Sequence, residues 1–264
     1  MSFVPLAVGG GLPGWYMLRA SEAAQRVAFA RQDSMENEAS YFRDRIQNVT
    51  DPGALVADRR LLGVALGAFG LSDDIGNRFY IRKVLEEGTI DERSFANRLA
   101  DKRYFRLAKT FGFDKSPPNT VTPGFSERIL EQYRRERFNI AVGEQDEDLR
   151  LALSLEDELR RVAPGTRSEK AEWYALMASP PLRRVFEAAL GLPATIGALD
   201  IDRQLDAFRE KARVKFGVQQ PSDFLAADRL EDLRRRFLLA SQTVPGPTSR
   251  GSAALMLLQT SRAW

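Results

Sequence analysis

Apolar residues return every three or four positions along most of this chain, the spacing of amphipathic helices. Met35, Ala39, Phe42, Ile46 and Val49 form one such stripe, with Asp33 and Glu36 placed as a capping box at its start. Asp51-Pro52 then reads as the N-cap and first-turn proline of a helix running to Phe69 and stopping at Gly70. Leu55, Leu62, Leu66 and Phe69 mark one face of it, and Leu61, Val64, Ala65 and Ala68 widen the arc. A helix apolar over so wide an arc belongs in the core. Gly63 and Gly67, four apart, are placed to let a neighbouring backbone come close, each at a cost of about 1 kcal/mol in helix propensity.

The same reasoning predicts helices at Phe79–Glu87, from Asp91 through Phe95 and Leu99, and at Tyr104–Phe111, closed by Gly112. Others open at Thr122-Pro123, after Glu144–Asp148, at Ser168, at Pro180-Pro181, around Ile201 and around Leu230. Lys115–Thr122, with two adjacent prolines and no period, reads as a linker. Val244–Gly251 reads as a second loop, after which Ser252 caps a final helix carrying Leu255, Met256 and Leu258. No segment alternates with period two between hairpin turns. The expected fold is all-α and multihelical, with about ten to twelve helices. It is expected to comprise an N-terminal half over 1–113, a linker over 114–123, a C-terminal half over 124–243, and a loop with a last helix over 244–264. Laying Gly191-Leu192 on Gly70-Leu71 matches seven of sixteen columns, from Leu61 to Gly76 against Leu182 to Gly197. Two similar helical halves would produce that match.

Composition narrows the chemistry. Among 264 residues there is no cysteine and no histidine. Disulfides, iron–sulfur clusters, thiolate zinc sites and cysteine nucleophiles are excluded, as is the imidazole of a Ser-His-Asp triad. Carboxylate–magnesium chemistry, paired carboxylates and lysine or tyrosine bases survive. The net charge of +3 points weakly to nucleic acid, but 39 basic residues are interleaved with 36 acidic ones. Arg234-Arg235-Arg236 follows Glu231-Asp232, for example. A solvated, ion-paired surface is the better reading, and nucleic acid is not an expected partner. No apolar run reaches the roughly 18 residues of a membrane span, and the start lacks the pattern of a secretory signal.

Several motifs resemble sites. Gly9, Gly11 and Gly14 match the dinucleotide fingerprint, but Pro5 breaks the strand it needs and Pro13 removes an amide from the cradle. A loose lead segment over residues 1–14 is expected instead. Glu144, Asp146, Glu147 and Asp148 lack the alternation and central glycine of a calcium loop and suit a helix N-terminus. If the chain were a magnesium-dependent hydrolase, Glu144, Asp146 and Asp148 would be its best candidates. Asn48-Val49-Thr50 is a formal sequon read as a helix end. Phe95, Tyr104, Phe105 and Phe111 sit at core spacing, with Arg98, Arg103 and Arg106 on a solvated face. Tyr41 and Phe42 with Asp58-Arg59-Arg60 read as a buried polar lock between helices. No catalytic, cofactor-binding or metal residue is assigned.

One long string is specific. It comprises Tyr41-Phe42, Asp58-Arg59-Arg60-Leu61-Leu62, Val64 through Leu71, Phe79, Ile81 through Glu86, Ser94 through Leu99, Asp101 and Arg103-Tyr104. With Gly14-Trp15, Gln25 and the stretch Phe138 to Leu153, it resembles the bacterial family catalogued as domain of unknown function twelve-seventeen. The resemblance implies a helical protein without an accepted catalytic motif, often encoded among flagellar genes. It therefore implies a non-catalytic structural or interaction protein with flagellar components as partners. Such a protein would be cytoplasmic or exported by a signal-free flagellar route. The alternatives are the magnesium-dependent hydrolase and, behind it, a nucleic-acid-binding regulator.

Overall fold

The computed structural model describes residues 3–7 and 9–243, and among these there are thirteen α-helices and no strand. The helices are α1 (Gly11–Ala30), α2 (Asp33–Arg45), α3 (Pro52–Ala57), α4 (Arg59–Ala68), α5 (Arg78–Glu87), α6 (Phe95–Arg98) and α7 (Lys102–Phe111). There follow α8 (Phe125–Gly143), α9 (Glu147–Val162), α10 (Glu169–Met177), α11 (Pro180–Leu190), α12 (Ile201–Phe216) and α13 (Ala227–Thr243). The fold is all-α, as the periodicity predicts. The loop and helix expected over 244–264 lie outside the described residues.

Three local expectations are corrected. The helix expected from Pro52 to Phe69 is two, because Asp58 leaves the helical region at φ −90° and ψ 102°. Its carboxylate instead accepts from the amides of Arg60 and Leu61, capping α4. The capping box at Asp33 does not form. Gln32 occupies the N-cap, and Asp33 and Glu36 both fall in the first turn, where negative charge suits the helix dipole. The lead segment is also shorter than expected. α1 begins at Gly11, and the Leu6 amide donates to Gln25 Oε1 at 2.7 Å.

The chain divides into two compact units, one of residues 1–6 and 21–141, the other of residues 7–20 and 142–264. The division falls inside α1 and α8, and not in the segment 114–123 expected to link two halves. That segment is tied into the first unit. The buried Thr120 hydroxyl donates to the Val49 carbonyl at 2.7 Å, and Asp114 Oδ2 accepts from the amides of Thr89 and Ile90. Prolines 117 and 118 thus shape a bound turn.

In the first unit α4 packs on α2 and α3, and α5 on α3 and α7. Leu62 and Leu66 are wholly buried and Phe69 nearly so, as the wide apolar arc requires. In the second unit α11 packs on α9, α12 and α13, with α10 against α11 and α12. Its core is aromatic: Phe186 meets Trp173 and Phe224 edge-on at 6.3 and 5.1 Å. The buried Glu172 accepts from the amides of Gly165 and Ser222, binding two loops to α10.

The sixteen matched columns fall on the same local structure in both units. α4 and α11 each end at a glycine in the left-handed region, Gly70 at φ 68° and Gly191 at φ 62°. The amide of the residue after each glycine bonds back across it, Leu71 to Leu66 and Leu192 to Glu187, both at 2.9 Å. A 3-10 turn follows in each, Ser72–Gly76 and Ala194–Ala198.

Candidate functional site

The polar lock expected at Tyr41 and Asp58 is present, but it is half-buried and not buried, with Arg59 and Arg60 exposed. The Tyr41 hydroxyl donates to Asp58 Oδ2 at 2.7 Å while Asp58 Oδ1 caps α4. The Arg60 guanidinium lies 3.7 Å from the centre of the Tyr41 ring, with Arg45 at 4.6 Å, and Arg60 also donates to the Asn37 carbonyl. Burial opposes ionisation of Asp58. The Tyr41 bond, the amides of Leu61 and Arg60 and the charge of Arg45 outweigh it and hold the carboxyl below its ordinary range. The same bond, with burial, raises the Tyr41 phenol. With the carboxyl held ionised and the phenol held neutral, the pair is a charge-assisted hydrogen bond that fastens α2 to the start of α4.

A second network joins α7 to the turn after α4. Tyr104 donates to Asp74 Oδ2 at 2.7 Å, and its ring meets Tyr80 edge-on at 5.1 Å, which in turn meets Phe95 at 5.1 Å. Burial, then Asp74, raises the Tyr104 phenol well above its usual value. Arg103, expected on a solvated face, forms a forked pair with Asp101 and donates to the Gly70 carbonyl. Of the four aromatics expected as a core stripe, Phe111 is buried and Phe95, Tyr104 and Phe105 are half-buried. What sequence spacing missed is that Tyr104 carries a polar handle used across elements.

The acidic candidates separate on inspection. Asp146 caps α9 through the Leu149 amide, Glu147 pairs with Arg150, and Asp148 pairs with Arg184 of α11 at 2.6 Å, while Glu144 is exposed. Burial raises the Asp148 carboxyl despite Arg184. Among the described residues there is no group of three or more carboxylates able to share an ion. The glycine fingerprint is likewise met from within the chain. The Asp146 carboxylate lies against Gly10, and the Gln242 side chain fills the space a Cβ on Gly11 would need. A phosphate at the head of α1 would have to displace both.

The feature that the sequence reading overlooked is on α1. Trp15 and Leu18 are buried, Trp15 under Arg234 and hydrogen-bonded to Glu231. The opposite face is exposed and also apolar: Pro13, Tyr16, Met17, Ala20, Ala24 and Val27 recur at helical spacing. Tyr16, Met17 and Val27 are 54%, 57% and 50% exposed. A helix apolar on both faces ordinarily meets something on each.

These arrangements can hold helices together and present surfaces. A family model described as "Protein of unknown function (DUF1217)" matches residues 68–224, more than half of the chain. The chain belongs to this family. A solved structure, the X-ray crystal structure of a protein from Agrobacterium tumefaciens, shares its fold with this DUF1217 chain. The TM-score is 0.71 at 24% identity, over 90% of this chain and 96% of that one. No curated protein matches. Among the described residues no helix is long and apolar enough to cross a membrane.

Proposed function

We propose that this DUF1217 protein is a non-catalytic structural or interaction protein of the bacterial flagellar system. The observation that supports the non-catalytic reading is the use made of its strongest polar constellations. Tyr41–Asp58, Tyr104–Asp74, Asp148–Arg184 and the bond from Arg103 to the Gly70 carbonyl each fasten one segment to another, and the buried Glu172 fastens two loops. A catalytic carboxylate needs a free face towards substrate, and each of these carboxylates is tied to a fixed partner within the fold. The flagellar link rests on the resemblance, whose members are often encoded among flagellar genes, and it carries with it a cytoplasmic location or a signal-free export route.

The test is affinity recovery of the tagged full chain from cells with and without assembled flagella, under the same wash conditions. Rod, hook or export components recovered only from flagellated cells are the expected result. Identical recovery from both strains would sink the flagellar reading, and magnesium-dependent turnover lost in Asp148→Asn would sink the non-catalytic one.

A further inference from the structure

The outer face of α5 carries its charges against the helix's own dipole. The inner face, Ile81, Val84 and Leu85, is buried, and α5 packs on α3 and α7. Phe79, Arg82, Lys83, Glu86 and Glu87 recur at helical spacing on the other side, all exposed, and line one open depression. Phe79 is 83% exposed, and Ile90, just past the end of the helix, is 69% exposed. Arg78 sits in the first turn and Glu86 and Glu87 in the last, and no side chain caps the N-terminus. Each of these charges lies at the end of the dipole that disfavours it. The two ion pairs on this face are Arg82–Glu86 at 2.6 Å and Lys83–Glu87 at 3.8 Å. Both set the cation N-terminal to the carboxylate, the weaker orientation within a helix. One oxygen of Glu87 also accepts from the Phe95 amide, which fixes that carboxylate in place.

We propose that this face is a homodimer surface, on which α5 of a second copy packs antiparallel about a two-fold axis. Antiparallel packing brings the cationic half of each helix beside the anionic last turn of the other and opposes the two dipoles. One register satisfies every position. With the axis level with the Val84–Leu85 peptide, Lys83 faces Glu86 of the second copy, Arg82 faces its Glu87, and Phe79 faces its Ile90. The two-fold repeats each pairing. A shift of one turn either way opposes Arg82 to Lys83 or Glu86 to Glu87, and a parallel pair opposes like charges throughout. The charge pattern therefore selects a second copy and one arrangement of it. Two phenylalanine side chains bring about 300–500 Å² to such a contact. That is well under the roughly 1,200 Å² of a standard stable interface, so the dimer is weak and reversible, with its specificity in the charges. The proposal goes beyond the flagellar reading and does not depend on it.

The test is sedimentation velocity of the full chain at concentrations up to about 1 mM, where contacts this weak are populated. The wild type passes from monomer to dimer as concentration rises. Lys83→Glu and Glu86→Lys, with folding checked by circular dichroism, each turn two attractive pairings into repulsive ones and raise the dimer Kd about tenfold or more. An equimolar mixture of the two variants recovers association, because each offers the charge that the other lacks. Phe79→Ser alters no charge and also weakens the dimer, so the test stays decisive should a charge variant unfold. A wild type that remains monomeric throughout overturns the proposal. Variants that associate as the wild type does, or a mixture that stays monomeric, overturn it equally. A monomeric wild type whose Phe79→Ser variant loses a protein recovered from cells places a different partner on α5, and that too overturns it.

Discussion

Gly63 and Gly67 stand one turn apart on α4, and the same substitution at each is predicted to act in opposite directions. Replacing a mid-helix glycine by alanine gains about 1 kcal/mol in helix propensity. At Gly63 an added Cβ would lie 3.6 Å from Ile75 Cδ1, an ordinary contact, so Gly63→Ala keeps the whole gain. At Gly67 it would lie 2.5 and 2.8 Å from Cε2 and Cδ2 of Tyr133, so the ring must move. Tyr133 is 5% exposed, and its hydroxyl donates to Glu38 Oε2 at 2.5 Å, so little room exists for it to yield. Overpacking costs about 1–3 kcal/mol and a disturbed hydrogen bond about 1 kcal/mol more. Set against the propensity gain, Gly67→Ala should destabilise by about 1–3 kcal/mol, some 2–4 kcal/mol apart from Gly63→Ala. Urea unfolding followed by far-ultraviolet circular dichroism, compared at a common m-value, measures both. In a Tyr133→Leu background the cost of Gly67→Ala should shrink by about 1 kcal/mol or more, which isolates the ring as the cause. Equal stabilisation by the two substitutions would refute the close approach altogether.

Thr120→Val strands the buried Val49 carbonyl and should cost about 1–3 kcal/mol in the same assay; no loss would mean that the 115–122 segment is not bound into its unit. The depressed Asp58 carboxyl stabilises the fold fully above its unfolded value of 3.8 and loses that contribution as pH falls through the lower folded value. The stability gap between the wild type and Asp58→Asn should therefore be widest near neutrality and close in acid, and a gap constant down to about pH 2 would contradict the charge argument. Gly70→Ala and Gly191→Ala should each cost about 1–2 kcal/mol, with asparagine milder at both positions, because both residues hold left-handed backbone. A negligible cost at either would remove the shared helix-end geometry.

Most helices were legible because their apolar period and their punctuation agree. Gly112, Gly191 and Gly217 all end helices in left-handed backbone where the sequence places a stop. The break at Asp58 escaped because Leu55 and Leu62, seven apart, carry the helical spacing across it, and only the cap geometry shows that one helix ends there. The boundary between the units escaped for a related reason. Proline and glycine report turns, and the division at 141–142 lies inside α8, where the helix runs on without a break. The segment that looked like a linker has no periodicity, yet its polar side chains are bonded to other elements, which composition does not reveal. The polar lock at Asp58 was legible as a juxtaposition of residue types. The exposed apolar face of α1 was not, because Tyr16 and Met17 adjoin the buried Trp15 and Leu18 and the sequence does not say which of them face outward.

The repeated segment shows where chemistry particular to one unit can reside. Asp58 and Ser179 occupy the N-caps of α4 and α11 at the spacing of the matched columns, extending the likeness beyond them. In each unit a helix packs on this segment from the preceding chain, α2 on α4 and α9 on α11, and a second lies between, α3 and α10. What recurs is therefore backbone punctuation and the order of packing. The side chains around it diverge. Beside Gly70 the first unit brings Arg103, which donates to the Gly70 carbonyl and forks onto Asp101. Beside Gly191, among the described residues, the second unit brings the flexible end of Lys215. Arg103, Asp101 and Tyr104 come from α7 and its cap, and α6 and α7 fall between α5 and the 3-10 turn at Asn119–Val121. In the second unit α12 is followed directly by the turn at Pro221–Leu225 and then α13. The α6–α7 excursion thus adds a polar network to a frame that folds without it elsewhere in the chain. The frame recurs in both units, whereas the Tyr104–Asp74 and Arg103–Asp101 pairs depend on α7 of the first unit.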